Sequence, residues 1–306
     1  MRAWAPSVAR QEVDECSGTV SGTGGFSARC RRQYPDKSAL ATINQVGLMG
    51  ASSAIRRFLL KTFRGSPVEH IARRWYAAVF QRRARAYDAQ TLTLLRRALK
   101  ADSNCIDVGA YRGDILAEML RLSPQGEVFA FEPIEENYRF LQGKFPDAHV
   151  YNVALSNRAG QRDFFHVTGR PARSGLRKQD YPDPQEQFEL VTVTVEVLDA
   201  LIPPEVTIGL IKIDVEGAEL EVLQGAEQLI TRDSPIIVFE HLPDLAEKYG
   251  TSSDEVYLFL NSCGLGLWTM EGFLEGGQSL DQQAFLGKVW VDHEYYFIAA
   301  PLHPVD

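Results

Sequence analysis

The chain has 306 residues, of which 45% are hydrophobic and 24% charged, with a net charge of −8. That composition belongs to a globular protein able to bury a full core. Cys16, Cys30, Cys105 and Cys263 form neither a C-x-x-C pair nor the framework of a small disulfide scaffold, and no apolar run is long enough to serve as a signal peptide or a membrane span. A soluble, cytoplasmic protein is expected.

The charge is divided unevenly. Residues 1–100 hold 18 Lys+Arg against 6 Asp+Glu, whereas residues 101–306 hold 14 against 34. The acidic part argues against a nucleic-acid groove, which needs clustered Lys and Arg, so no nucleic-acid partner is expected.

Residues 1–50 include Ser17-Gly-Thr-Val-Ser-Gly-Thr-Gly-Gly25 and few periodic apolar positions, the composition of a disordered tail. The glycine cluster runs into Phe26 without a following Gly-Lys-Ser/Thr, so it is a poor phosphate loop. Met49 is an alternative start that would leave residues 1–48 outside the native protein. Residues 51–86 are predicted to be a basic helical extension. Ile55, Phe58, Leu59 and Phe63 share one face, Gly65-Ser66-Pro67 interrupts it, and Ile71, Trp75, Val79 and Phe80 resume the spacing among Arg73, Arg74, Arg82, Arg83 and Arg85. The main reading is a helical cap with a solvated basic face. The alternatives are that residues 53–85 rest on anionic lipid at the inner face of a membrane, or that they grip an acidic substrate.

Residues 87–306 are predicted to form a single α/β domain. Strands are expected at Asn104–Val108, Glu127–Phe131, His149–Ala154, Phe188–Glu196, Ile208–Asp214 and Pro235–Glu240, with a closing pair near Leu265–Thr269 and Tyr295–Ala300. Helices are expected at Asp114–Leu122, Ile134–Lys144, Ala218–Ile230 and Asp254–Cys263. Such alternation is that of a parallel sheet with crossover helices. Thr168–Gln187, rich in Gly, Pro and charge, is predicted to be a long functional loop.

Four strand ends carry the chemistry. Cys105-Ile-Asp-Val-Gly-Ala-Tyr-Arg-Gly-Asp114 is a strand that ends in an acid and turns through Gly109 and Gly113 into a helix. Its G-x-x-x-G spacing lacks the third glycine of the dinucleotide fingerprint. Val128-Phe-Ala-Phe-Glu132-Pro133 places an acid 25 positions after Asp107, where it can accept hydrogen bonds from the ribose hydroxyls of an adenosine. Ile211-Lys-Ile-Asp-Val-Glu-Gly-Ala-Glu-Leu220 crowds Lys212, Asp214 and Glu216 at a third edge, and Glu240-His241 closes a fourth. Charges at the ends of buried strands are costly unless paired or used. The structural alternatives are a helix-start acid at Glu132, an ion pair at Lys212, a turn cap at Asn152 and a hydrogen-bonded core imidazole at His241.

Taken in order, Asp107-Val-Gly-Ala…Gly113, Phe131-Glu-Pro133, Asn152-Val-Ala-Leu-Ser156, Lys212-Ile-Asp-Val-Glu-Gly-Ala-Glu-Leu220 and Phe239-Glu-His241 resemble the successive motifs of FkbM-type methyltransferases. The likeness runs from about Cys105 to His241. It implies a Rossmann-like S-adenosylmethionine-dependent methyltransferase fold, with a mostly parallel seven-stranded sheet and helices on both faces behind the helical extension. It implies S-adenosyl-L-methionine as cofactor, bound by Asp107, Gly109, Ala110, Tyr111, Gly113, Glu132, Pro133, Asn152, Ala154 and Asp214. It further implies methylation of a hydroxyl on a sugar, glycan or natural-product scaffold. Tyr111-Arg112 departs from the family's pattern, and Arg112 is a candidate counter-ion for the methionine carboxylate.

Asp214 and His241 are the candidate bases, because both are expected at the carboxyl edge and an imidazole titrates near working pH. Lys212 and Glu216 would orient the base or the acceptor. Asp214, Glu216, Glu240 and His241 are an alternative divalent-cation set, although no metal is expected. Ser174, Arg173 and Arg177 of the long loop, or the aromatics Trp268, Phe273 and Trp290, are candidates to touch the acceptor. The rival functions are an NAD-dependent oxidoreductase and a non-catalytic interaction module.

Overall fold

The computed structural model describes residues 67–179 and 186–302; the predicted tail and the first predicted helix lie outside them. All described residues belong to one compact unit. A helix runs unbroken over Pro67–Ala98, so it passes through residue 87, where the sequence pattern places the start of the domain. From residue 87 it presents Tyr87, Thr91, Leu94 and Leu95, all buried, at the i, i+4, i+7, i+8 spacing of one helical face. Burying each of the two leucines contributes about 1.5–3 kcal/mol. Part of its basic side is spent on the domain itself. Arg83 donates to the carbonyls of His293 and Asp292, Arg96 pairs with Glu118, and Arg97 reaches the Leu274 carbonyl.

The central sheet contains β1 (Asn104–Val108), β2 (Val128–Phe131), β3 (His149–Tyr151), β7 (Ile208–Ile213), β8 (Ile236–Glu240), β9 (Leu265–Thr269) and β10 (Tyr296–Pro301). Their spatial order is β3-β2-β1-β7-β8-β10-β9. β10 alone runs opposite in direction to the other six strands. The expected mostly parallel seven-stranded sheet is therefore present. Side chains alternate across each strand. Ile106, Val108, Ile211, Ile213, Ile237 and Phe239 pack with Leu220, Val222, Leu260 and Phe285 on one face, and Cys105, Val128, Ala130 and Leu210 with Leu95, Leu116 and Met119 on the other. The chain order reverses between β1 and β7, and open parallel sheets bind ligands in the crevice at such a switch point.

Three expectations are corrected. The predicted strand His149–Ala154 divides into β3 and a two-residue strand β4 (Ala154–Leu155). Phe188–Glu196 (β6) leaves the central sheet for a second one, ordered β4-β6-β5, where it pairs antiparallel along its length with β5 (Gly160–Val167). The polar run Gln161-Arg162-Asp163 hides β5 from a pattern reading, because only Phe164 and Val167 turn inward. Finally, the predicted helix Ala218–Ile230 is two helices, Glu219–Gln224 and Glu227–Asp233. At the break a Cβ on Gly225 would stand 2.3 Å from the Ser156 carbonyl oxygen. The Asp199 carboxylate caps the second helix by accepting from the Gln228 and Leu229 N–H groups.

Candidate active site

The β1 turn is built by three left-handed residues, Gly109 (φ 75), Tyr111 (φ 47) and Gly113 (φ 79). A Cβ at Gly109 would fall 2.1 Å from the Asp214 carbonyl oxygen, and one at Gly113 would fall 2.4 Å from the Phe145 ring. Both glycines are thus required by close approach of protein to protein, the first by the end of β7 and the second by the helix Glu135–Lys144.

Asp107 and Lys212 are register partners on adjacent strands. Both are buried, with Lys212 Nζ 3.3 Å from Asp107 Oδ1, and the ammonium also donates to the carbonyls of Gly109 (3.0 Å) and Val108 (3.3 Å). Burial alone would lower the Lys212 pKa, but Asp107, Asp214 and Glu240 outweigh it and leave it raised. Burial raises that of Asp107 despite the opposing ammonium. The pair ties β1 to β7 beneath the glycine turn.

Glu132 is buried and doubly engaged: Oε2 accepts from the Tyr111 N–H (2.9 Å), and Oε1 from the Ile134 N–H (2.9 Å) and Asn137 Nδ2 (3.3 Å). Burial raises its pKa against the lowering effect of these donors. Asn152 does not reach the cleft. Its side-chain amide donates to the carbonyls of Glu132 and Pro133 and pins the turn that follows β2, the turn-capping alternative.

A cleft opens at the switch point, where open parallel sheets bind their ligands. It is lined by Gly109, Tyr111, Glu132 and Pro133 from the β1 and β2 ends, by Val153, Ala154 and Leu155, and by Asp214 and Glu216 from the β7 end. Phe164, the 3-10 turn Pro171–Arg173, Ser174 and Leu176 cover it. The second sheet and the described part of the long loop therefore serve as a roof.

At the acidic side, Tyr296 donates from its phenol to Asp214 Oδ2 at 2.5 Å. Glu216, held at φ 59, accepts from Gln179 at 2.7 Å, and burial beside Asp214 pushes its carboxyl up to about 8. Glu219 accepts from the N–H groups of Val215 and Gly217, and burial pushes it up to about 7.

Several expected contacts are not brought to the cleft. His241 follows Glu240 on β8 and so points to the opposite face, where it is fully buried over Phe285 with Nε2 2.8 Å from Ser253 Oγ. Burial lowers its pKa to about 4, so the imidazole is neutral at physiological pH and shut off from any acceptor. Arg112 pairs with Glu136 and stacks on Phe140 at the surface. Trp268 donates to the Gly277 carbonyl, and neither it nor Phe273 nor Trp290 lines the cleft. Sequence reasoning missed Tyr296, Gln179, Asn137 and Glu219. Asn137, in the first turn of the helix that follows Glu132, and Glu219, inside the Lys212–Leu220 motif, had a local signal.

The sheet order and the cleft at its switch point define a Rossmann-like α/β fold with a ligand site at the carboxyl edge of the sheet. Residues 107–265, more than half of the chain, match the methyltransferase FkbM domain, and the chain belongs to that family. Membership implies S-adenosyl-L-methionine as cofactor and removes the oxidoreductase alternative. Among solved structures, the chain is similar to the FkbM methyltransferase of Methylobacillus flagellatus, at 16% identity over 66% of this chain and 44% of that one, with a TM-score of 0.40. It thus spans less than half the length of that protein. A TehB-like S-adenosylmethionine-dependent methyltransferase from Corynebacterium glutamicum shares 11% identity over 74% of this chain and 97% of its own, with a TM-score of 0.38. One from Aquifex aeolicus shares 14% over 66% and 83%, with a TM-score of 0.34. No curated protein matches the chain. Among the described residues no helix is long and apolar enough to cross a membrane.

Proposed function

We propose that the chain is an O-methyltransferase acting on a hydroxyl of a small molecule or glycan, such as a sugar or natural-product scaffold. The observation that carries this reading is that Glu132 and Asp214, at the ends of β2 and β7, face the same cleft. When bound, S-adenosylmethionine supplies an electrophilic methyl group. The residues fit it. Oε2 of Glu132 accepts only from the Tyr111 N–H and keeps acceptor capacity for a ribose hydroxyl. Ile134, Val153 and Leu155 offer apolar surface for a purine, and the backbone of Gly109–Tyr111 borders the space beside it.

On the acceptor side, Asp214 is the group that takes the hydroxyl proton, held in one orientation by Tyr296. Glu216, at the same edge, orients the acceptor. Lys212 acts as a positioning residue through Asp107 and the Gly109 carbonyl. The roof from Phe164 to Leu176 excludes water and aligns the acceptor for in-line displacement, where orientation supplies much of the acceleration.

The test is calorimetric titration with S-adenosylmethionine on wild type and on a folded Glu132→Ala variant, followed by incubation with hydroxylated acceptors and location of the methyl group by NMR. Micromolar binding lost in the variant, with methyl on oxygen, supports the reading. Methyl on nitrogen or carbon overturns its acceptor half, and absence of binding overturns all of it.

A further inference from the structure

Asp214, Glu216 and Glu240 each present a carboxylate oxygen within 4.8 Å of the other two. They come from two neighbouring strand ends: Asp214 and Glu216 follow β7, and Glu240 closes β8. Asp214 uses Oδ2 for Tyr296 and Glu216 uses Oε2 for Gln179, which leaves one oxygen of each for another partner.

Glu240 differs from both. It is 9% exposed, and no described group hydrogen-bonds to it or forms an ion pair with it. Lys212 acts on it from a distance, but that ammonium is already engaged by Asp107 and by the Val108 and Gly109 carbonyls. Arg173 acts on Glu216 from the covering loop. A buried carboxylate without a donor is costly and usually marks a missing partner. Here it is aimed at two further carboxylates.

We infer that Asp214, Glu216 and Glu240 form a binding site for one divalent cation at the acceptor side of the cleft. Three carboxylate oxygens are hard donors, the set that Mg²⁺, Mn²⁺ and Ca²⁺ prefer over imidazole or thiolate sites. Oxygens sharing such an ion lie roughly 3–5 Å apart, given bonds of about 2.0–2.6 Å, so the spacing needs little adjustment. His241, the fourth member of the set suggested by sequence, takes no part because it points to the other face of the sheet. Asp214 and Glu216 line the cleft and Glu240 does not, so two of the three ligands are open to an acceptor bound there. The mechanistic role rests on the proposed O-methylation: an ion there lowers the pKa of a bound hydroxyl and relieves Asp214 of acting as a lone base.

The probe is Mn²⁺ alone, titrated into the full chain and followed by the loss of its free electron paramagnetic resonance signal. One equivalent should bind with micromolar affinity. Glu240→Gln should weaken binding at least tenfold, and S-adenosylmethionine affinity should stay within twofold of wild type. Glu216→Gln, at the exposed side of the site, provides a second variant should the buried change unfold the chain. Absence of saturable binding to wild type, or equal binding by folded variants, overturns the site. Mn²⁺ binding in a chain that binds no S-adenosylmethionine leaves the site standing and removes only the O-methylation reading.

Discussion

Tyr296 and Asp214 lie 82 positions apart in sequence, yet the phenol of one donates to the carboxylate of the other at 2.5 Å. β10 runs antiparallel to β8 with Tyr296 opposite Glu240, which carries the ring over the end of β7. Tyr296→Phe removes one hydrogen bond to a carboxylate, of the kind worth about 1.5–3 kcal/mol. Turnover should fall about ten- to a hundredfold while S-adenosylmethionine affinity holds. An equal loss in both would mean that Tyr296 shapes the cofactor side instead.

Glu132→Ala strips acceptors from the Tyr111 and Ile134 N–H groups and from the cofactor together. Affinity for S-adenosylmethionine should drop at least a hundredfold by calorimetry. Glu132→Gln keeps one acceptor oxygen and should fall in between. A glutamine variant that binds as tightly as wild type would remove Glu132 from the ribose contact.

Lys212→Met leaves the Asp107 carboxylate buried beside methylenes. Breaking a buried pair from one side costs about 3–5 kcal/mol. The loss should show in urea unfolding, and Asp107→Asn in the same chain should restore much of it. Two additive destabilisations in that double-mutant cycle would show that the 3.3 Å pair contributes no coupling.

Glu219 is 1% exposed and held at about 7, above the ordinary glutamate value of 4.5. Because the folded state binds this proton more tightly than the unfolded chain, the contribution of this group to stability is greatest below about pH 4.5. It declines as pH rises toward 7, by up to about 3 kcal/mol. Glu219→Gln keeps an oxygen for the Val215 and Gly217 N–H groups and has no charge to bury. In chelator-containing buffer the variant should melt higher than wild type at pH 8 and level with it at pH 4.5. A gain of the same size at both pH values would contradict the linkage.

Gly109→Ala places a methyl 2.1 Å from the Asp214 carbonyl at a φ of 75, so it combines overlap with backbone strain. The variant should lose more than about 3 kcal/mol of stability or accumulate as insoluble protein. A stable variant with normal circular dichroism would show that the two strand ends can separate.

Much of this protein is legible in its sequence, because the reasons are local. An apolar run that ends in Asp107 and turns through Gly109 and Gly113, and another that ends in Glu132, announce two strand ends at the carboxyl edge of a parallel sheet. The order of the motifs then identifies the family. Alternation along β8 also carries the information that Glu240 and His241 face opposite ways, although two polar neighbours at one strand end invite being read together.

What tertiary structure alone decided comes from contacts between distant segments. β5 exists because β6 pairs with it, its own residues being too polar to declare a strand. The break at Gly225 exists because Ser156 occupies the space that a side chain would need. Tyr296 reaches Asp214, and Glu240 joins Asp214 and Glu216, only through the pairing order of β7, β8 and β10. Periodicity reports which face of an element is buried. It does not report which elements become neighbours, and at this site the neighbours decide which carboxylates meet and which are left without a partner.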